Sequence, residues 1–129
     1  MIILVFVFPS GSQHASGVEV FDDEESVQLS CLVDVSVSME STVVWSREDL
    51  KYPVVHIRNR RGDDLRAQNQ YYRNRTRMKP DALQTGDLTL TLENPKVSDS
   101  ETYTCTVRRM GMDLSQTTVE LKVEGQCCR

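Results

Sequence analysis

The sequence predicts an all-β domain, a sandwich of two antiparallel sheets, on three observations. Short runs of alternating apolar and polar residues recur along the chain, and helical periodicity is scarce. Clusters of Gly, Pro, Asn, Asp and Ser separate the runs at spacings that suit a sandwich. Two cysteines fall on the inward side of such runs, far apart in the chain. A length of 129 residues allows one domain, large enough to remove well over half of its unfolded surface from water.

The chain opens with "MIILVFVFPSGSQHASG", an apolar run too short to span a bilayer followed by small and polar residues. It reads as a secretory leader over residues 1–17, with an exposed apolar first strand as the alternative. The domain proper then covers residues 18–124, and residues 125–129 form a tail. Four runs are clear strands, because successive side chains on a strand point to opposite faces. "SVQLSCLV" turns Val27, Leu29, Cys31 and Val33 inward, and "TVVWS" turns Val43 and Trp45. "DLTLTL" contributes Leu88, Leu90 and Leu92, and "TTVELKV" contributes Val119, Leu121 and Val123. Weaker runs follow at "PVVHIRN", around Val54 to Ile57, and at "YTCTVRR", whose inward set is Tyr103, Cys105 and Val107. The polar stretch from Arg60 to Pro80 is expected to give edge strands and turns.

Cys31, then Trp45 on the next strand, then Tyr103 two residues before Cys105 is the immunoglobulin pattern. In that pattern the two cysteines form the disulfide joining the sheets, and the indole packs against it. A loop of that length makes such a bridge stabilising by on the order of 4 kcal/mol. The Tyr103 hydroxyl is expected to hydrogen-bond back to the corner "SDSETYTC", and Asp99 of that corner to pair with Arg75 through two parallel hydrogen bonds.

The stretches "VVWSREDLKYPVVHIRN", "YYRNRTRMKPDALQTGDLTLTLENPKVSDSETYTC" and "VELKVEG" resemble the variable-type (V-set) immunoglobulin domain of butyrophilins, myelin-oligodendrocyte glycoprotein and the B-seven costimulatory ligands. The likeness covers about Val18 to Gly125. It implies an extracellular domain, on the outer side of the plasma membrane if an anchor follows and otherwise secreted. It also implies that the sheet holding Trp45, Val54 to Ile57, Tyr103 and Val119 faces a protein counter-receptor on an opposing cell, a lymphocyte, and modulates T-cell receptor signalling. Homophilic adhesion is the alternative. Two departures stand out: Glu101 occupies a corner position that usually holds Gly, and "MGMDLSQTTVELKV" lacks the Gly-x-Gly bulge of antigen receptors.

Several local motifs invite function. The hairpin "RRMGMD" offers Arg109, Met110 and Met112, with His56 and Arg58 on adjoining strands, as candidate contacts, since Arg and Met are enriched at interfaces. "RGD" at Arg61, Gly62 and Asp63 has an integrin-binding reading and a tight-turn reading, of which the turn is favoured. Asn74 heads an N-glycosylation sequon, "NRT", on an expected strand edge. Cys127 and Cys128 fit an alternative chain end, covalent pairing, or acylation.

Composition excludes other classes. A net charge of −4 argues against nucleic acid. The Arg-rich stretch from Arg58 to Lys79 reads as a solvated face, or as a basic patch for an acidic partner or glycan. The chain has 2 His residues, which assemble neither a catalytic triad nor a metal site, and it has no phosphate-cradling glycine loop. No catalytic residue, metal, cofactor or small-molecule substrate is therefore expected.

Overall fold

The alternating runs become strands of two sheets packed face to face. The computed structural model describes the backbone of residues 4–10 and 13–126 and the side chains of residues 16–126. In chain order the strands are β1 (Leu4–Ser10), β2 (Gln13–Phe21), β3 (Ser26–Leu29), β4 (Thr42–Ser46) and β5 (Val54–Asn59). They continue as β6 (Gly62–Asp63), β7 (Thr76–Met78), β8 (Leu90–Glu93), β9 (Glu101–Arg109) and β10 (Met112–Glu124). Two single-turn helices, α1 (Val35–Ser38) and α2 (Ala82–Thr85), and 3₁₀ turns at Gln70–Tyr72 and Val97–Asp99 fill connections.

Among the described residues, one sheet has the order β1-β2-β10-β9-β4-β5-β6 and the other β3-β8-β7. Neighbours run antiparallel except β2 and β10, which pair in parallel with Leu121 opposite Val18. That ladder begins at Ala15, inside the segment read from the sequence as a leader. In the full chain Leu4–Ser10 lies as an edge strand on β2. Cys127 and Cys128 lie outside the described residues.

The inward sets meet in one core. Val27, Leu29, Cys31, Val43, Trp45, Leu88, Leu90, Leu92, Tyr103, Cys105 and Val107 are all buried. Val33 packs against this core while partly exposed. A disulfide joins Cys31 to Cys105 with their Cα atoms 6.5 Å apart, linking the end of the β3 segment to the middle of β9. Trp45 has no exposed surface, so its indole N–H needs a partner. It donates to the Leu88 carbonyl at 2.9 Å, which ties β4 to the opposite sheet's entry.

A polar cluster closes the end of the sandwich where β9 begins. Arg47 donates to the Tyr72 hydroxyl at 2.6 Å, the Tyr72 and Tyr103 hydroxyls are 2.8 Å apart, and Tyr103 donates to the Asp99 carbonyl at 2.6 Å. Burial pushes the Tyr103 phenol well up, so it stays a donor. The structure brings Arg75 and Asp99 together: Asp99 Oδ2 accepts from Arg75 Nη2 at 2.5 Å and from the Lys96 amide at 2.8 Å. The Asp99 carboxylate is fully buried.

Removing one member of a buried ion pair strands the other in a low-dielectric site. Asp99→Ala should therefore cost about 3–5 kcal/mol in denaturant unfolding. A loss within a few tenths of a kcal/mol would show that Arg75 finds water or another acceptor without penalty.

Candidate functional site

The outward residues of β4, β5, β9 and β10 alternate with the buried ones and line a shallow groove of about 470 Å³. Val44, Val54, Thr104, Thr106, Gln116 and Thr118 form its floor and walls. Register fixes this set: Val44 lies opposite Thr106 on β9 and Ile57 on β5, and Thr118 opposite Thr104. The lining charges sit apart from the centre. Glu48 follows the end of β4 and accepts from Ser46 at 2.7 Å, while Arg108 lies beside the hairpin and pairs with Asp113 at 2.8 Å. An uncharged centre with small β-branched side chains is a surface that loses little on desolvation. Among the described residues, no group of three His, Cys, Asp or Glu could hold a metal ion.

At one end of this sheet, Arg109 and Met112 pair across a two-residue loop. Met110 and Gly111 both have positive φ, 54° and 78°, the backbone of a tight hairpin whose twist matches the strands. That conformation turns Met110 out to 93% exposure and Met112 to 67%. Three other expected contacts are not free. Arg109 donates through Nη2 to the Ser36, Val37 and Met39 carbonyls at 2.8–3.1 Å and through Nε to Ser41, so it holds the α1 loop against the hairpin. His56 is fully buried and Arg58 nearly so, because both share the inward face with Trp45 and Val43.

His56 and Arg58 instead build a seam between the sheets. His56 Nδ1 lies 2.8 Å from the Thr76 hydroxyl of β7, and Nε2 lies 2.8 Å from Asp63 Oδ1. Arg58 donates from Nε to the same Asp63 oxygen at 2.7 Å and from Nη1 to the Lys79 carbonyl at 2.8 Å. One oxygen of the Asp63 carboxylate of the Arg-Gly-Asp tripeptide is thus engaged within the domain, while the side chain stays one-third exposed. The turn itself falls at Arg60 and Arg61, just before Gly62.

The Arg-rich stretch is likewise spent on internal and local pairs. Arg60 pairs with Glu40, Arg66 with Asp64, Arg77 with Glu93 and Lys79 with Asp87. Those four pairs are solvent-exposed, and no ion pair within the described residues engages Arg61 or Arg73.

The groove residues escaped the sequence reading, although the alternation that buries Trp45 and Cys105 also turns Val44, Thr104 and Thr106 outward. Asn74, expected on a strand, sits in the turn before β7 with φ 60°, and Arg75 in the adjoining bend.

Burial works against the Asp63 carboxylate, but hydrogen bonds from Arg58 and His56 outweigh it and hold its pKa below the ordinary value. The unfolded chain therefore takes up this proton more readily than the folded one. The seam's contribution is complete above about pH 4 and fades as pH falls below it. Asp63→Asn should lower near-neutral stability by about 1 kcal/mol, a modest figure because the group is one-third exposed, and should flatten the acid loss. Parallel acid profiles for the two proteins in denaturant titrations would contradict that assignment.

Three comparisons with known proteins agree with this geometry. The model of the family described as "Immunoglobulin V-set domain" matches residues 21–124. Among curated proteins, "V-set domain containing T-cell activation inhibitor 1" of Mus musculus is 30% identical over 112 residues, covering 83% of this chain and 39% of that protein. The chain thus spans about two-fifths of that relative's length. Among solved structures, the human B7-H4 IgV-like domain superposes with a TM-score of 0.67 at 23% identity, over 96% of this chain and 98% of that one. Bovine butyrophilin gives 0.69 at 21% identity, over 95% and 55%. A chain of the crystal structure of ICOS in complex with ICOS-L and an anti ICOS-L VNAR domain gives 0.70 at 23%, over 87% and 56%. These structural likenesses establish a shared fold. With the family model spanning both sheets, the disulfide and the Tyr103 corner, the chain belongs to the immunoglobulin V-set family.

Proposed function

We propose that this domain is the extracellular binding module of a cell-surface immune regulator. It engages a protein counter-receptor on a lymphocyte through the outward face of the seven-stranded sheet and the Met110–Gly111 hairpin, and so modulates T-cell receptor signalling and cytokine production. The observation that carries the reading is the groove over Val44, Val54, Thr104, Thr106 and Thr118, uncharged at its centre, together with two exposed Met side chains on the hairpin at one end of the same sheet. Such a face can be desolvated cheaply, and Met adapts its shape to a partner. The mouse relative, named for inhibiting T-cell activation, supports the lymphocyte assignment, and the fold shared with a chain of an ICOS and ICOS-L complex supports a protein partner. No helix among the described residues is long and apolar enough to cross a membrane.

Self-association between cells is the competing reading, because a neutral Val and Thr face is as compatible with a second copy as with a receptor. Sedimentation of the domain and staining of activated lymphocytes with labelled multimers separate the two. A monomer that stains lymphocytes supports the receptor, and a dimer that does not stain supports adhesion.

Val44→Glu with Thr104→Lys places charge in the groove centre and should weaken cell staining by at least about tenfold, or about 1.4 kcal/mol, with the melting temperature retained. Met110→Ala with Met112→Ala should weaken it less. Undiminished staining by the charged variant would remove the sheet face as the contact.

A further inference from the structure

Asn74–Arg75–Thr76 is the one Asn-x-Ser/Thr sequon in the chain. In the folded domain its three residues are treated differently. Asn74 is exposed in a turn, with φ 60°, a left-handed conformation that Asn tolerates better than most residues. No hydrogen bond within the described residues claims its side chain. Arg75 is locked: it donates to Asp99, and to the Tyr71, Glu93 and Asn94 carbonyls. Thr76 is locked too, its hydroxyl lying 2.8 Å from His56 Nδ1 and 3.0 Å from Gln68 Nε2.

We propose that Asn74 carries an N-linked glycan and that it is attached before the domain closes. In the transfer, the Asn74 amide nitrogen bonds to the anomeric carbon of an oligosaccharide carried on a lipid pyrophosphate. The bond from that carbon to the pyrophosphate oxygen breaks, the pyrophosphate leaves with the electron pair, and the amide gives up one proton. No atom changes oxidation state. The transferring enzyme reads the sequon through the Thr hydroxyl in an accessible chain. Once His56 and Gln68 hold that hydroxyl and Asp99 holds Arg75, the sequon is shut, so modification precedes the seam between the sheets.

The location suits the binding face. Asn74 adjoins the Arg75–Asp99 pair at the start of β9, whereas the Met110 hairpin follows its end, about 25 Å away along the strand. Thr76 opens β7, the terminal strand of the three-stranded sheet. The glycan therefore stands beside the opposite sheet's edge and leaves groove and hairpin bare. The proposal rests on the export that the proposed function requires.

The test is translation of the full chain with endoplasmic-reticulum microsomes, with protease protection reporting import and amidase-sensitive mobility reporting the glycan. The protected chain should carry one glycan, absent in Asn74→Gly and Thr76→Val and kept in Thr76→Ser. Asn74→Gly suits the positive φ and should leave the melting temperature unchanged, whereas Thr76→Val should lower it by unpartnering His56 and Gln68. Unmodified protein folded beforehand should accept no glycan from a microsomal extract until its disulfide is reduced. A protected chain of bare mass overturns the glycan while export stands. A chain left outside the microsome overturns both, and equal modification of folded and reduced protein overturns the order of events.

Discussion

The bond between Cys31 and Cys105 is the constraint on which the rest of the molecule depends, since it closes a sequence separation of 74 and fixes how far apart the two sheets stand. Trp45 fills the space that this spacing leaves. Its indole N–H has no route to water, and the Leu88 carbonyl is the acceptor within reach. One covalent bond and one hydrogen bond thus hold β3, β4, β8 and β9 in a common register. Everything outward on β4 and β9 inherits that register through the pleat.

Two polar seams supplement the core, and both consume charge that would otherwise define the surface. At one end Asp99, fully buried, gathers Arg75 and the Lys96 amide while Tyr103 returns to the Asp99 carbonyl. At the β5 edge His56 and Arg58 converge on Asp63 and reach across to Thr76 and Lys79. Buried polar groups need partners, and these partners come from the stretch that is richest in arginine. Within that stretch Arg58 and Arg75 turn into the fold, while Arg60, Arg61, Arg66, Arg73, Arg77 and Lys79 stay on the surface.

What remains outward over the groove is Val, Thr, Ser, Pro and Gln with Glu48 and Arg108 in its lining, and beyond it a hairpin that displays two methionines. The hairpin is not free to wander, because Arg109 ties it to the carbonyls of the α1 loop. Rigid positioning of adaptable side chains limits the ordering cost of docking. The two properties sit on neighbouring residues: Arg109 fixes the frame and Met110 meets the solvent.

The sequence by itself determined the layers, the disulfide partners and the buried tryptophan. Each of these follows from period-two alternation or from fixed spacing around Cys105, quantities that a one-dimensional string carries. The tertiary structure alone decided which polar residues face outward. His56 and Arg58 lie on a run that alternates irregularly, with a shift of register after Trp45, so parity along the strand does not reveal that Val55 and His56 both point inward. Arg109 was assigned to a partner because its carbonyl acceptors lie 70 and more positions away in the chain. The groove strands were already grouped in one sheet by the resemblance, but which of their outward side chains line the groove follows from the cross-strand register of β4 with β9.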